Sequence, residues 1–271
     1  MNPFSQASGD SAFSSSGEII DQHYPVALNG DLYGVSSAST YDEVTHVEDV
    51  DTLLRRYDNG ESVAFLFTSI NCSHCASWEP TFVSFVLEVK PEIIHYENGT
   101  MTVGEYQHAY TSLQTYFGNI DQITGGTPTL FFGKKGAFHY VGAANLSYLS
   151  LINAFKNYAQ ASALRLFTSY ERYQAYLKDN PESLTYLLDR AQDSLANSFY
   201  DENLYPRAKT AGKSLAVLDY SAMDESNKTA TLAGLSLTSF APLLLQQGTS
   251  YDVSKESEKA SALSLIASYF A

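Results

Sequence analysis

The chain carries two cysteines, Cys72 and Cys75, and their setting constrains the fold more than any other feature. Before them lies Val63-Ala64-Phe65-Leu66-Phe67-Thr68, an unbroken apolar run of the kind expected in a strand covered on both faces. After them, Trp78, Phe82, Val83, Phe85, Val86 and Val89 recur at helical spacing. The pair therefore falls at a strand-to-helix junction. A helix N-terminus presents unpaired N–H groups and the positive end of its dipole, and both stabilise a thiolate. Two intervening residues bring the sulfurs within bonding distance. Cys72 can attack a disulfide and Cys75 can resolve the mixed species. His74 adds a partner or a positive charge beside the thiolate, and Ser73 is non-committal. Half of a zinc site and two inert buried thiols are the alternatives. No second cysteine pair exists, and His74, His95, His108 and His139 stand in no finger spacing.

Around the pair the pattern reads as βαβαβαββα. Residues 41–46 are a short strand candidate. Val47, Val50, Leu53, Leu54 and Tyr57 follow at helical spacing, and Asn59-Gly60 stops that helix. Residues 93–96 form another strand. Thr102 and Glu105 make a capping box ahead of a stripe of Tyr106, Ala109, Tyr110, Leu113, Tyr116 and Phe117. Residues 129–132 and 138–141 flank a turn at 133–136, a β-hairpin. Asn145 caps a last helix carrying Leu149, Ile152 and Phe155. The class is α/β with a mixed sheet.

The second half repeats this order without cysteines. Strands fall at 164–167, 184–188 and 215–218, with helices marked by Tyr170, Tyr173 and Leu177 and by residues 195–205. Ala241-Pro242-Leu243-Leu244-Leu245 with Gly248 parallels Thr127-Pro128-Thr129-Leu130-Phe131 with Gly136, and Leu263, Ile266 and Phe270 close with a helix. An internal duplication is the simplest account. The string Leu-Phe-Thr-Ser occurs at 66–69 and 166–169, yet on non-equivalent strands. Residues 221–236 are weakly patterned.

Six of the first sixteen residues are Ser, and residues 1–37 read as a flexible tether. The division is then 1–37 tether, 38–160 first domain and 161–271 second domain. With Lys+Arg 16 against Asp+Glu 30, the net charge of −14 excludes a general nucleic-acid binder. No stretch approaches the ~20 apolar residues of a membrane span, and no signal-peptide pattern is visible. The 20 Tyr fall largely on helix stripes, as packing residues, with a subset forming an aromatic peptide-binding face as the alternative.

Residues from about 41 to 160 resemble the thioredoxin superfamily. The likeness is carried by the apolar strand before Cys72-Ser73-His74-Cys75, by Pro80, by Gly126-Thr127-Pro128-Thr129-Leu130-Phe131-Phe132, by Lys134-Lys135-Gly136 and by Val141-Gly142-Ala143. The second half resembles the same fold without its redox centre, with Gln192-Asp193-Ser194-Leu195 where the cysteines would fall. The resemblance implies tandem thioredoxin-like folds, each a central mixed β-sheet flanked by helices. It implies that Cys72 is the exposed nucleophile and Cys75 the buried resolving thiol. It also implies a cis Thr127–Pro128 peptide that faces them and docks a substrate backbone together with Gly126. The inner dipeptide ending in His is similar to that of the disulfide isomerases and bacterial Dsb oxidases, which implies an oxidase or isomerase bias. Two departures stand out. The buried acid usual six residues before the first cysteine is Leu66, and the usual Trp before that cysteine is Asn71. Trp78 reads as a core aromatic, with a groove-lining role as the alternative.

The expected function is thiol–disulfide exchange on protein or peptide substrates, needing a redox partner protein and no bound cofactor or metal. The competing reading is an accessory protein whose two domains hold a protein partner, and a third is a metal carrier using Cys72, Cys75 and His74. The Ser-rich start and the His-containing dipeptide favour an extracytoplasmic bacterial setting with a trimmed leader, against a cytoplasmic one.

Overall fold

The structure, a computed structural model, describes residues 23–117, 127–141, 147–209 and 213–271. Gly126, Gly142-Ala143, the expected Asn145 cap and residues 1–22 of the expected tether lie outside the described residues. Up to the middle of the chain the elements are β1 (Tyr24–Asn29), α1 (Val50–Asp58), β2 (Val63–Ser69), α2 (Ser73–Val89), β3 (Ile94–Asn98), α3 (Val103–Phe117), β4 (Thr129–Lys134), β5 (Ala137–Val141) and α4 (Tyr148–Tyr158). Then follow β6 (Ala159–Phe167), α5 (Tyr170–Asp179), β7 (Leu184–Leu188), α6 (Ser194–Phe199), α7 (Tyr205–Ala208), β8 (Leu215–Asp219), α8 (Glu225–Gly234), β9 (Leu243–Gln246), β10 (Thr249–Asp252) and α9 (Glu256–Phe270). The described chain forms two compact units. One holds Ser37–Ala161 and the residues up to Val26; the other holds Ala27–Ser36 and Ser162–Ala271.

In the first unit the strand order is β3-β2-β4-β5. β2 runs parallel to β3 and antiparallel to β4, and β4 runs antiparallel to β5. Every β2 residue from Val63 to Thr68 is buried, because helices cover both faces. Phe65 and Phe67 point to the α1/α3 side, where they pack with Leu53, Ile94, Tyr96 and Leu113. Alternation sends Ala64, Leu66 and Thr68 to the other face. There α2 and α4 pack together, with the rings of Phe85 and Phe155 6.0 Å apart. The helix limits have local causes. The Asp49 carboxylate accepts the Thr52 N–H at 2.9 Å to start α1, and Gly60 at φ 87° ends its last turn. Thr102 and Glu105 exchange bonds as a capping box ahead of α3.

Three expectations for this unit need correction. Residues 41–46 are not a strand: Val44 N–H donates back to the Tyr41 carbonyl in a turn, and only His46 bridges to Ile94. α4 buries Leu151, Ile152 and Phe155, whereas Leu149 is 69% exposed. Its N-cap is Ser147, whose hydroxyl accepts the Ser150 N–H.

The second sheet has the order β1-β6-β8-β7-β9-β10, with residues 27–29 of β1 and 162–167 of β6 belonging to the second unit. β6, β8 and β7 are parallel, β9 is antiparallel to β7, and β10 is antiparallel to β9. The run β6-β8-β7-β9-β10 repeats the first unit's His46 bridge-β3-β2-β4-β5. The two Leu-Phe-Thr-Ser strings accordingly lie on non-equivalent strands, β2 and the end of β6. The weakly patterned 221–236 segment holds α8, which buries only Thr231 and so has little apolar face to read.

Part of the stretch expected as a tether, residues 1–37, is regular structure instead. Residues 24–29 form β1, and a 3₁₀ turn follows at Gly30–Leu32. Gly30 allows the close approach, since a Cβ there would meet the Leu166 carbonyl oxygen at 2.4 Å. The Asp31 carboxylate then accepts the N–H groups of Thr168 and Ser169, at 3.1 and 2.9 Å, and the Thr168 hydroxyl, at the entrance to α5.

One buried ion cluster anchors the first unit. Arg56 is fully buried and meets Glu48, Glu61 and Glu92 at 2.8, 3.0 and 2.9 Å. Removing the guanidinium leaves buried carboxylates uncompensated. Arg56→Met is expected to cost about 3–5 kcal/mol of stability in urea unfolding. Asp31→Ala is expected to destabilise the second unit by about 1.5–3 kcal/mol, because it strands two backbone donors and a hydroxyl; protease resistance or calorimetry reads this directly.

Candidate functional site

β2 ends at Ser69, and Cys72 N–H donates to the Ser69 carbonyl at 3.1 Å, so the chain turns straight from strand to helix. Cys72 is the N-cap of α2, with extended backbone at φ −95°, ψ 106°. Its Sγ accepts the Cys75 N–H at 3.0 Å. Serine, threonine or aspartate usually fills this capping role; here sulfur does. Cys72 and Cys75 form a disulfide with Cα atoms 5.2 Å apart. Cys72 is half-buried, while Cys75 is only 3% exposed. Ser73 and His74 lie between them, exposed, on the first turn. The Ser73 carbonyl accepts the Ser77 hydroxyl at 2.7 Å. No carboxylate stands in that first turn to oppose a thiolate.

The segment before β4 approaches from the other side. The Thr127–Pro128 peptide is cis. The Thr127 carbonyl oxygen lies 3.1 Å from Cys72 Sγ, and Pro128 is buried. Gly126, the third expected docking residue, lies outside the described residues. Trp78 is buried, with ring centroids 6.3 Å from Tyr41 and 5.0 Å from Phe82, a core aromatic under the helix.

Below the pair the structure shows a polar cluster that sequence reading did not single out. Tyr41 donates its hydroxyl to the Cys75 carbonyl at 2.7 Å and its N–H to Glu79 at 2.8 Å. Pro80 lacks the N–H that would reach the Ala76 carbonyl. Burial, then Glu79 and Glu97, push the Tyr41 phenol well above its usual range, so it stays a donor. Leu66, at the position of the expected acid, is fully buried and stands in register with His95 on β3. His95 Nε2 lies 2.7 Å from Thr68 Oγ1. A signal for His95 was present: it sits between Ile94 and Tyr96 in a buried strand, so its side chain faces the opposite sheet surface, toward α2. Tyr41 carried no such signal, because its segment was expected to be a strand.

The second unit has the same junction with different chemistry. Asp193 caps α6 and accepts the Ala196 N–H at 2.8 Å. Asp193 and Ala196, not Gln192 and Leu195, thus take the places of the two cysteines. The Ala241–Pro242 peptide is trans. Among the described residues, no group of three or more His, Cys, Asp or Glu side chains is placed to hold a metal ion. No described helix is long and apolar enough to cross a membrane.

A sulfur that caps a helix is stabilised as an anion by that helix. In the reduced chain, Cys72 is expected to react with iodoacetamide with an apparent pKa at least about one unit below the free value of ~8.5, while Cys75 stays protected. Mass spectrometry of the alkylated sites across pH 5–10 checks this; equal profiles for the two cysteines would remove the capping argument.

No protein-family model matches the chain, and no curated protein matches it. Among solved structures it is similar to ERdj5 in crystal form II, at 15% identity over 80% of this chain and 27% of that one, with a TM-score of 0.34. It is similar to thioredoxin from Aeropyrum pernix, at 22% identity over 40% of this chain and 83% of that one, with a TM-score of 0.31. It is similar to human ERp44 in a zinc-bound form, at 10% identity over 76% of this chain and 53% of that one, with a TM-score of 0.30. The chain spans well under two thirds of the ERdj5 and ERp44 chains. Its own topology names the fold. A β3-β2-β4-β5 sheet with one parallel and two antiparallel pairings, a cysteine pair capping α2 and a cis peptide ahead of β4 make the first unit thioredoxin-like.

Proposed function

We propose that the protein is a thiol–disulfide oxidoreductase acting on protein disulfides and dithiols. The carrying observation is Cys72 Sγ, set at the N-terminus of α2 with the Cys75 N–H 3.0 Å away and the Thr127 carbonyl 3.1 Å away. In the reducing direction the Cys72 thiolate attacks one sulfur of a substrate disulfide and expels the other as a thiolate. Cys75 then attacks Cys72 Sγ, closes the Cys72–Cys75 bond and expels the first substrate sulfur. In the oxidising direction the steps reverse: a substrate dithiol becomes a disulfide and the protein becomes a dithiol, which a redox partner protein reoxidises. Exposed His74 next to Cys72 adds positive charge when protonated, which favours the thiolate and gives the oxidase or isomerase bias. Ser73 adds no charge of its own. Thr127 and Pro128 form the segment against which a substrate backbone docks. Such chemistry suits an oxidising, extracytoplasmic compartment.

The accessory reading has its own support in the second unit, where a carboxylate and a methyl replace the two sulfurs. That unit then binds a protein partner without exchanging disulfides with it.

Cys75→Ser in the full chain is expected to accumulate mixed disulfides with reduced and reoxidising protein substrates, released by dithiothreitol and absent from Cys72→Ser. Insulin reduction is expected to fall at least about a thousandfold in Cys72→Ser, since the remaining thiol is buried. Equal activity in the two proteins would overturn the catalytic reading and leave the binding one.

A further inference from the structure

Resolution requires Cys75 to lose its proton, because a thiolate and not a thiol attacks a disulfide. Burial disfavours that thiolate, and Leu66, six residues before Cys72 in the sequence, has no atom that accepts a proton. One strand across, on the same sheet face, stands His95, itself buried. Its Nε2 lies 2.7 Å from Thr68 Oγ1, and its Nδ1 lies 3.3 Å from Asp42 Oδ1. Thr68 Oγ1 also lies 3.3 Å from Glu97 Oε1.

These contacts allow two satisfied proton arrangements. With a neutral ring, Nδ1–H donates to Asp42 and the Thr68 hydroxyl donates to Nε2. With a charged ring, Nε2–H donates to Thr68 and the hydroxyl turns to donate to Glu97. Rotation about one C–O bond converts one pattern into the other, so the ring takes up a proton without stranding a polar atom. The titratable groups facing it are Asp42 from the turn before α1, Glu79 from α2 and Glu97 from β3. Burial holds the ring below its ordinary pKa, so it is neutral at pH 7, while the three carboxylates favour the charged form once it appears. Tyr41 joins the cluster to the second cysteine: its ring centroid is 5.6 Å from that of His95, and its hydroxyl donates to the Cys75 carbonyl.

Resting on the oxidoreductase reading, we propose that the Thr68–His95 pair is the proton acceptor for Cys75. The Cys75 proton passes to Thr68 Oγ1 as that hydroxyl's own proton moves to His95 Nε2, 2.7 Å away, and the resulting thiolate attacks Cys72 Sγ. The bond from Cys72 to the substrate sulfur breaks, and the substrate leaves as a thiolate that takes its proton from solvent. The Cys72–Cys75 disulfide is the oxidised product.

The test uses the reduced full chain and the aromatic disulfide 5,5′-dithiobis(2-nitrobenzoate) in stopped flow from pH 5 to 10. The first release of thionitrobenzoate reports attack by Cys72, and the second reports resolution by Cys75. In His95→Gln the first phase is expected unchanged. The second is expected to slow about a hundredfold at pH 7 and to rise about tenfold per pH unit until the thiol ionises unaided. Thr68→Val, which keeps the ring and a similar volume, is expected to move the second phase in the same direction. An unchanged second phase in both variants overturns the proposal, and so does slowing without a changed pH profile, which marks a purely structural role. Absence of a Cys72-dependent first phase in the unaltered chain overturns the oxidoreductase reading instead.

Discussion

The N–H of Cys75 donates to the sulfur of Cys72 at 3.0 Å, where a helix would ordinarily be capped by an oxygen. The same contact starts α2 and, in the function proposed above, stabilises the thiolate that reduction of the disulfide leaves on Cys72. Its position follows from β2. That strand is buried on both faces and leads into the cap through a tight turn at Ser69. The cis segment ahead of β4 then brings the Thr127 carbonyl to the sulfur's other side. Sheet, helix and chemistry thus share one junction.

The second unit is a comparison built into the same chain. It repeats the strand order around β7 and ends that strand at a capped helix, but the cap is Asp193 and its partner Ala196. A carboxylate cap performs the structural task and cannot exchange disulfides. The acidic surplus finds part of its meaning in such tasks. Asp31, Asp49, Asp193 and Asp224 each accept backbone N–H groups at a helix entrance. Glu48, Glu61 and Glu92 surround the buried Arg56.

Legibility followed the range of the interactions involved. The β2 run, the Thr102/Glu105 capping box, the hairpin of β4 and β5 and the buried β7 depend on neighbours in sequence, and their residues announce them. β1 was illegible because its reason for being a strand is β6, far along the chain, and the Ser-rich stretch before it hid the change. Leu149 looked like a core residue, yet Leu151 fills that place, since the helix starts at Tyr148 with a different facing than the expected Asn145 cap implied.

The chemistry of the site divides along the same line. Order along the chain was enough to place two thiols at a strand-to-helix junction, Leu66 at the acid position and a Thr-Pro segment ahead of a later strand. Local order is enough for these, because helix ends, apolar runs and a two-residue spacing are set within a few residues. Folding in three dimensions was needed to bring Tyr41 to the Cys75 carbonyl, His95 beside Leu66 and Thr68, and Asp193 to the cap of α6. Those placements come from strand register and cross-sheet packing, which bring together residues that no periodicity along the chain connects.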